Sequence, residues 1–378
     1  MHLYLHIPFC KQACHYCDFH FSTNLSQKSA LVEALCAEIA LQNEYLPNNK
    51  LETVYFGGGT PSLLTEQELA TIFDTIHRHF VVSSDAEITL EANPDDLSVS
   101  KLQLLRQYVN RLSIGIQTFD EATLRWMNRA HSAAEAENCV QLARETGFET
   151  LSVDLIYGIP DAGQTDKKES IWQRDLQKML ELDVPHLSAY ALTIEPDTAF
   201  GRWQQRGKLP AVDENLAAGQ FEELSKAMVR AGYEHYEISN FARPEQYARH
   251  NTAYWQRRPY LGIGPSAHSY NGSSRQYNIA NNARYTVAIG KGDIPATVEE
   301  LSMADQVNDY LLTGLRTKWG CSLSALTTLA GEDFSKKQAA DLAAMYASGW
   351  LKQEGDWLRL TESGKLFADR VAASLFFE

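Results

Sequence analysis

The sequence has no long hydrophobic run and no excess of positive charge. Its 378 residues include 34 Lys and Arg against 48 Asp and Glu, which gives a formal net charge of −14. Because nucleic-acid phosphates are bound by clustered positive charge, this balance argues against a nucleic-acid partner. No apolar run reaches the roughly 18 residues that a membrane-spanning helix needs. The first ten residues lack the basic and apolar segments that make up a signal peptide.

Cysteine is also scarce, and its few copies are unevenly placed. A disulfide scaffold needs a denser set of cysteines than the six found among these 378 residues. Three of the six, Cys10, Cys14 and Cys17, lie within eight residues. Cys36 and Cys139 fall on apolar faces of predicted helices and are expected in the core. The pattern indicates a reducing compartment, so we predict a cytoplasmic protein whose clustered thiols bind metal.

Apolar runs typical of β-strands alternate with helical stretches over the first half of the chain. The predicted strands are Leu3–Ile7, Thr53–Phe56, Glu87–Glu91, Arg111–Ile116, Leu151–Ile156 and Leu187–Leu192. One-sided apolar periodicity predicts the helices Lys28–Tyr45, Leu69–Phe80 and Glu135–Glu145. Thr65 and Glu68 form the capping-box pattern that precedes the second helix. The alternation favours an α/β fold with a parallel sheet, either open or closed into a barrel.

The pattern changes twice in the second half of the chain. From about Glu195, Gly, Pro and aromatic residues become frequent, and helical stretches return after Pro295. Ala304–Leu315 and Lys336–Ser348 are predicted helices, and a β-hairpin is predicted around Glu354-Gly355-Asp356. Helices followed by a hairpin resemble a winged helix. This segment carries more acidic than basic residues, which argues against a role in reading DNA.

The clustered cysteines have the spacing Cys-x3-Cys-x2-Cys. A short loop with this spacing can hold three corners of a cubane [4Fe–4S] cluster and leave the fourth iron without a protein ligand. The amino and carboxylate groups of S-adenosylmethionine can chelate that iron, and an electron from the cluster can then break the sulfonium bond. The alternative is a tetrahedral zinc site. Its fourth ligand would be one of the nearby histidines, His6, His15 or His20.

A glycine-rich turn and several polar residues follow the predicted strands. The turn Gly57–Gly59 lies between the second strand and the capped helix, where glycine lets the backbone approach a ligand closely. Glu91, Gln117 and Asp154 lie at or just after later strands, and Arg129 follows the fourth strand. Because the carboxyl ends of parallel strands converge in a barrel, we expect these side chains to form one site around the nucleoside and carboxylate of the cofactor.

Taken together, these motifs resemble those of one known family. The matching segments are Tyr4-Leu-His-Ile-Pro-Phe-Cys10 with the cysteine triplet, Gly57-Gly-Gly-Thr-Pro61, Glu91-Ala-Asn-Pro94, Gly115-Ile-Gln-Thr-Phe119 and Asp154-Leu-Ile-Tyr-Gly-Ile-Pro160. They are similar to the radical S-adenosylmethionine family around oxygen-independent coproporphyrinogen III oxidase. The resemblance covers most of the chain. It implies a partial, open (β/α)6 barrel of the TIM type in residues 1–295, including a heme-associated extension at about 195–295. A small winged-helix-like α+β domain is implied for residues 296–378.

The resemblance also implies which residues bind the cofactors. The implied ligands of a [4Fe–4S] cluster are Cys10, Cys14 and Cys17. The positions that would contact S-adenosylmethionine on that cluster are Tyr4, Gly58 and Glu91. A second S-adenosylmethionine in the oxidase is surrounded by positions that match Tyr16, Gly59, Thr60, Gln117, Arg129, Asp154 and Ala191.

Two departures from the oxidase are typical of the heme chaperones in this family. The oxidase has a fourth cysteine where this chain has Phe19, and it has a longer extension than the nine residues that precede Cys10. The chaperones also carry a His-Asn-x-x-Tyr-Trp motif tied to heme binding, matched here by His250, Asn251, Tyr254 and Trp255. Imidazole is a good axial ligand for heme iron, and His268 is a second candidate. From the residues alone, a surface loop with a packed aromatic pair also explains the motif.

The predicted function is a heme chaperone that binds a [4Fe–4S] cluster, S-adenosylmethionine and heme, and passes heme to acceptor proteins. Membrane-associated respiratory enzymes are the expected acceptors, and a homodimer is one expected state. The alternative within the same family is a coproporphyrinogen III dehydrogenase, which decarboxylates two propionates oxidatively. A third interpretation, from a different class, is a zinc-binding interaction protein.

Overall fold

The molecule is built on one broad sheet and a second, much smaller one. The computed structural model describes residues 1–160 and 170–377. The strands within these ranges are β1 (His2–Ile7), β2 (Lys50–Gly58), β3 (Val81–Ala92), β4 (Arg111–Gln117), β5 (Thr150–Tyr157), β6 (His186–Ala191), β7 (Glu234–Glu237), β8 (Asn240–Ala242), β9 (Tyr260–Ile263), β10 (His268–Tyr270), β11 (Ser274–Asn278), β12 (Ala296–Glu300), β13 (Cys321–Ser322), β14 (Leu351–Glu354) and β15 (Trp357–Leu360).

Helices connect the central strands and make up much of the C-terminal part. They are α1 (Lys28–Leu41), α2 (Glu66–His79), α3 (Val99–Leu105), α4 (Glu121–Trp126), α5 (Ala133–Glu145), α6 (Ile171–Leu182), α7 (Ala199–Gln205), α8 (Glu214–Arg230), α9 (Arg249–Trp255), α10 (Asn282–Ile289), α11 (Met303–Leu315), α12 (Leu323–Ala330), α13 (Phe334–Lys337), α14 (Ala339–Ala347) and α15 (Ala368–Ser374).

Strands β1 to β6 lie side by side in chain order and pair in parallel. Buried apolar side chains from these strands, such as Leu3, Val54 and Leu90, form one continuous core with the surrounding helices. All six predicted strands are present, and the predicted α/β fold with a parallel sheet is confirmed. Further strands continue the sheet on both sides, in the order β12-β11-β10-β9-β1 and β6-β8-β7. In the described residues the sheet therefore stays open.

Local sequence signals set where the helices begin. The Thr65 hydroxyl accepts a hydrogen bond from the Glu68 amide, and the Glu68 carboxylate accepts one from the Thr65 amide. The predicted capping box is therefore present, and α2 begins directly after Thr65. Helix α1 ends at Leu41 instead of the predicted Tyr45. Its end is set by Gln42, which leaves helical backbone geometry and donates a side-chain hydrogen bond to Glu38 (2.7 Å).

Six short strands, β7 to β12, widen the sheet and were not predicted. On the β1 side they are held by the buried carboxylate of Glu38. This carboxylate accepts hydrogen bonds from the Gly264 amide (2.7 Å), the Asn278 side chain (2.7 Å) and the Tyr285 hydroxyl. Strand β12 pairs with β11 along its whole length. The large sheet thus continues to Glu300, five residues beyond the boundary proposed from sequence.

The residues after Glu300 form a second, smaller apolar core. It contains a three-stranded sheet in the order β13-β15-β14, and the predicted hairpin is present as β14 and β15. The single helix predicted over Lys336–Ser348 is wrong, because the chain forms α13 and α14 there. They are separated by Gln338, whose side chain turns inward and donates to the Phe376 carbonyl (2.9 Å). Across residues 1–160 and 170–377, we find no helix with the length and apolar composition that crossing a membrane requires.

Candidate functional site

The carboxyl ends of the central strands surround a cavity of about 410 Å³. Every residue predicted to bind the cluster or S-adenosylmethionine lines this cavity, except Tyr4. The lining residues from that prediction are Cys10, Cys14, Tyr16, Cys17, Gly58, Gly59, Thr60, Glu91, Gln117, Arg129, Asp154 and Ala191. The cavity lies where strands β2 to β6 end, as expected for side chains that follow parallel strands.

The cysteine loop follows β1 and is fixed at several points. Cys10 donates its amide to the Ser22 carbonyl (3.1 Å), so the loop closes on itself. Its far side is held by the Gln12 side chain, which donates to the Asn128 side chain (2.7 Å), and by the His15 ring, which donates to the Trp126 carbonyl (2.8 Å). All three cysteines are free thiols and are only partly buried. The loop thus presents three sulfurs to the cavity on a fixed backbone.

The surroundings of the thiols differ from those of a single-metal site. No group of three or more His, Cys, Asp or Glu side chains in the described ranges converges closely enough to hold one metal ion. The histidines proposed as zinc ligands bond elsewhere: His6 to the His20 carbonyl (2.9 Å), His15 to Trp126 and His20 to the Asn282 side chain (2.7 Å). A cubane cluster takes one thiolate at each of several iron corners, so it needs no such convergence. The donor set therefore fits a cluster better than zinc.

Arg129 is the positive group next to the thiols. Its guanidinium donates to Cys14 Sγ (3.3 Å), to the Asn93 side chain (2.7 Å) and to the Gly115 carbonyl (2.7 Å). Burial raises the pKa of the Cys17 thiol to about 12 and also raises the pKa of Cys10. The positive charge of Arg129 acts in the opposite direction and favours the thiolate forms that bind iron. Asn93 was missed from sequence, although it lies two residues after Glu91.

The glycine turn joins the cysteine loop to β2. Gly59 donates its amide to the Ile7 carbonyl (2.9 Å), and Thr60 donates its amide to the Phe9 carbonyl (2.7 Å). A Cβ atom at Gly59 would lie 2.7 Å from the Phe9 backbone nitrogen, which no real side chain tolerates. Glycine is needed here because two backbone segments meet, and that contact holds the cysteine loop against the cavity.

Two partly buried acids face the cavity, Glu91 near the end of β3 and Asp154 three residues before the end of β5. Glu91 accepts hydrogen bonds from the Tyr55 hydroxyl (2.8 Å) and the Gly58 amide (3.1 Å), and burial raises its pKa to about 7. Burial likewise raises the pKa of Asp154 to about 6, against the hydrogen bonds from Ser188 and Ser113. Both acids are therefore adapted to accept hydrogen bonds or protons from a polar ligand in the cavity.

Gln117 ends β4 in an unusual backbone conformation. Its φ is +71°, and the pairing of β4 with β5 shifts register between Gly115 and Gln117. A positive φ in a residue other than glycine is uncommon and costs energy, and such residues cluster at functional sites. The bulge brings the Gln117 side chain to the cavity. Tyr190 on β6 and Ser113 on β4 also line the cavity and were not predicted from sequence.

Tyr4 lies beneath the cavity instead of in its wall. Its hydroxyl is hydrogen-bonded to His6 Nδ1 (3.2 Å), and its ring stacks on Tyr55 with the centroids 6.0 Å apart. A Cβ atom at Gly57 would lie 3.0 Å from the Tyr4 ring, so the glycine turn covers it. Tyr16 is in the cavity wall, where its hydroxyl accepts a hydrogen bond from Arg129 (3.5 Å).

The residues proposed for heme lie in two separate places. His250, Asn251, Tyr254 and Trp255 are on helix α9, so the motif forms no surface loop. His250 is only 1% exposed, and both ring nitrogens have partners, at Thr53 Oγ1 (2.6 Å) and at the Tyr254 hydroxyl (2.7 Å). This geometry does not fit an open axial ligand. His268 is on β10, where it is exposed and its ring lies 5.5 Å from that of Tyr277.

Comparison with known proteins identifies two matching family models. The Radical SAM superfamily model matches residues 4–170, and the HemN C-terminal domain model matches residues 301–367. The solved structure of coproporphyrinogen III oxidase (HemN) from Escherichia coli, a radical SAM enzyme, has a TM-score of 0.84 with 23% sequence identity. The match covers 99% of this chain and 89% of the HemN chain, so the two proteins share a fold.

Curated relatives match along almost the whole chain. The heme chaperone HemW of Bacillus subtilis is 34% identical over 383 residues and covers 99% of both chains. The heme chaperone HemW of Escherichia coli is 32% identical over 375 residues, which are 98% of this chain and 96% of that one. The superfamily implies a [4Fe–4S] cluster and S-adenosylmethionine as cofactors. Similarity of this extent shows that the chain belongs to the HemW family within the radical SAM superfamily.

Proposed function

We propose that this protein is a heme chaperone that holds a [4Fe–4S] cluster, binds S-adenosylmethionine and heme, and passes the heme to acceptor proteins. The observation that carries the proposal is the similarity over nearly the whole chain to proteins named heme chaperones, at 34% and 32% identity. The cavity supports it independently, because three free thiols lie next to partly buried polar groups that suit an adenosyl cofactor.

The proposed cluster ligands are Cys10, Cys14 and Cys17, and each would bind one iron. A cluster of this kind supplies one-electron chemistry at an iron that no protein group ligates. Arg129 stabilises negative charge on Cys14, with which it is already hydrogen-bonded. The backbone of the glycine turn fixes the loop, so the protein positions the cluster without further side-chain ligands.

The proposed contacts to S-adenosylmethionine come from the carboxyl-terminal parts of five strands, β2 to β6. Glu91 and Asp154 accept hydrogen bonds from ribose hydroxyls or the amino group, and Gln117 bonds the rest of the nucleoside. The methionyl part would lie near Gly58, Gly59 and Thr60, where the two glycines have no side chain to keep a ligand from the backbone. Tyr16, Arg129 and Ala191 complete the wall. Tyr4 would act from below, through its contacts with His6 and Tyr55.

The identity of residue 19 favours a chaperone over a coproporphyrinogen III dehydrogenase. The fourth cysteine of the oxidase pattern is replaced here by Phe19, which is 71% exposed and lines the mouth of the cavity. A phenyl ring offers neither a sulfur ligand nor a proton. We therefore propose that the scaffold is retained for cofactor binding while the oxidative decarboxylation is lost.

For heme we propose strand β10 as the place of the axial ligand and helix α9, which lies elsewhere, as a second contact surface. His268 has an exposed ring and is the more accessible of the two candidate imidazoles. Asn251, Tyr254 and Trp255 are partly exposed and add polar and flat apolar surface.

The proposed acceptors are membrane-associated respiratory heme proteins, and the proposed location is the cytoplasm. The six free cysteines agree with a reducing compartment. A homodimer remains part of the proposal, and light scattering measures it directly.

The function is tested by heme transfer. Protein reconstituted anaerobically with iron and sulfide is loaded with heme and mixed with an apo-acceptor, whose heme spectrum and activity are followed. We expect transfer to the acceptor and no protoporphyrinogen from added coproporphyrinogen III. Formation of that product would instead support the dehydrogenase.

The cluster is tested by a substitution of one of its ligands. Cys14→Ala should lose the cluster's absorbance and its content of about four iron and four sulfide. Cys36→Ala, which lies outside the cavity, is the control and should keep both the absorbance and the iron and sulfide. Zinc in place of iron in the parent protein would overturn the proposal.

A further inference from the structure

His250 lies in the protein interior, where helix α9 packs on strand β2. Its ring is 1% exposed, and its two nitrogens are hydrogen-bonded to Thr53 Oγ1 (2.6 Å) and to the Tyr254 hydroxyl (2.7 Å). An iron atom could reach this ring only if one of these bonds broke and the helix moved. The side chain therefore needs a role within the protein.

A row of rings connects His250 to the cofactor cavity. The His250 ring stacks on the Tyr55 ring, with centroids 4.9 Å apart and planes inclined by 26°. The Tyr55 hydroxyl donates a hydrogen bond to Glu91 Oε1 (2.8 Å). Glu91 lines the cavity, and its second oxygen accepts from the Gly58 amide (3.1 Å). The Tyr55 ring alone thus separates His250 from the Glu91 carboxylate.

The stack has little room to rearrange. The Tyr4 ring packs beside both members, with centroids 6.0 Å from Tyr55 and 6.4 Å from His250. A Cβ atom at Gly57 would lie 2.9 Å from the Tyr55 ring, 3.0 Å from the Tyr4 ring and 3.1 Å from Glu91 Oε1. Since the rings are in contact with the glycine turn above them, a displaced Tyr55 ring would move the carboxylate that it holds.

Helix α9 is anchored at both ends, so His250 is held in place. The buried carboxylate of Glu87 accepts hydrogen bonds from the Arg249 amide (3.0 Å) and the His250 amide (2.9 Å) at the start of the helix. At its end, the Trp255 ring lies under the Arg316 guanidinium, 5.3 Å from its centroid. Arg316 belongs to the C-terminal part of the chain. The helix therefore links that part to the ring stack under the cavity.

We propose that His250 is a positioning residue for S-adenosylmethionine binding: it holds Tyr55, and Tyr55 orients Glu91 in the cavity. The proposal rests on the proposed function, because it takes Glu91 to contact S-adenosylmethionine. It gives the histidine of the His-Asn-x-x-Tyr-Trp motif a role in cofactor binding and removes it from the candidate ligands of heme iron.

The test measures S-adenosylmethionine affinity by calorimetry on anaerobically reconstituted protein, with the EPR spectrum of the reduced cluster before and after addition of S-adenosylmethionine as a second readout. Tyr55→Phe should weaken binding by about three- to tenfold, the value of one lost hydrogen bond. His250→Ala should weaken it by a similar factor, because Tyr55 loses the ring on which it stacks. Because both substitutions act through Glu91, their effects should not add. The affinity of the double variant for S-adenosylmethionine should be within about twofold of that of the single variant that binds it less tightly. His186→Ala is the matched control. His186 is equally buried and equally bonded, to Ser152 (2.6 Å) and Tyr236 (2.7 Å), but lies away from Glu91.

The control should keep the affinity and the EPR change of the parent while losing a similar amount of stability. Unchanged affinity in His250→Ala, or additive losses in the double variant, would overturn the proposal. So would loss of heme absorbance in His250→Ala with intact S-adenosylmethionine binding, which would restore it as a heme ligand. If His250→Ala does not fold, Tyr55→Phe still tests the link to Glu91. Failure of the parent protein itself to bind S-adenosylmethionine would count against the proposed function, which separates the two failures.

Discussion

Gly58 lets the glycine turn lie directly against the His6 ring. Its φ is +104°, and a Cβ atom there would lie 2.6 Å from His6 Cε1. The ring cannot turn away easily, because its nitrogens are hydrogen-bonded to the Tyr4 hydroxyl (3.2 Å) and the His20 carbonyl (2.9 Å). A side chain at this position meets both backbone strain and a fixed neighbour.

We predict that Gly58→Ala lowers the free energy of unfolding by roughly 2–5 kcal/mol, as strain and overpacking add. Gly272→Ala is the matched control, because Gly272 has a similar φ of +111° and nothing within 4 Å of the added atom. It should lose only the strain, about 1–2 kcal/mol. Urea unfolding monitored by circular dichroism measures both variants. Equal losses would show that the contact with His6 has no effect.

The predictable residues of the cavity are those whose chemistry is visible in short motifs. The cysteine triplet, the glycine turn and Glu91 belong to such motifs, and they line one cavity. Gln117 reaches the cavity through a bulge with positive φ, which depends on how β4 pairs with β5. The surroundings of His250 are hidden from the sequence for a related reason. Its burial follows from packing between α9 and β2, which are far apart in sequence.

Helix α6 is attached to the end of β4 by one buried acid. Asp175 on α6 accepts hydrogen bonds from the Thr118 hydroxyl (2.6 Å) and the Phe119 amide (2.8 Å), just after the strand. Burial raises the pKa of Asp175 to about 6 from its usual value near 3.8. Between these values the unfolded chain has lost the proton while the folded chain keeps it. The contribution of this group to stability is therefore full below about pH 4 and is lost as the pH rises to about 6.

We predict that Asp175→Asn removes this dependence on pH. The difference in unfolding free energy between the variant and the parent should move in favour of the variant by about 3 kcal/mol from pH 4 to pH 7, since one pKa unit corresponds to about 1.4 kcal/mol. All other titrating groups are shared, so they cancel in the difference. Denaturant unfolding at several pH values measures it, and parallel pH profiles would contradict the prediction.

The elements that could be predicted are those whose own sequence specifies them. Strands β1 to β6 each contain an apolar run that is largely buried, and α2 begins at its capping box. The short strands β7 to β12 depend on partners, such as the Glu38 carboxylate that bonds Gly264 and Asn278. The break between α13 and α14 depends on Gln338, whose amide bonds the chain end near Phe376. Neither contact leaves a local pattern in the sequence.

The large sheet contacts the C-terminal core at strand β7, which forms one edge of the sheet. Glu237 pairs with Thr317 in a β-bridge, and the Ile238 amide donates to the Arg316 carbonyl (3.0 Å). The Glu237 carboxylate is 1% exposed and forms an ion pair with Arg316 (3.1 Å). Arg316 also pairs with Asp369 (2.9 Å), whose side chain is 75% exposed. One arginine therefore has a buried partner and an exposed one.

Removing Arg316 should weaken this junction mainly through the buried partner, Glu237. We predict that Arg316→Met costs roughly 2–4 kcal/mol of unfolding free energy, because Glu237 is left charged and unpaired in the interior. Asp369→Asn should cost less than about 1 kcal/mol, as an exposed pair does. Glu237→Gln in the Arg316→Met background should recover at least half of the loss, since it removes the buried charge and keeps the side chain's shape.

Because the buried pair connects two cores, the Arg316→Met protein should also unfold in two steps. The unfolding transitions followed by tryptophan fluorescence and by far-UV circular dichroism should then no longer coincide. A single transition with an unchanged midpoint would mean that the Glu237–Arg316 pair is not needed to join the two cores.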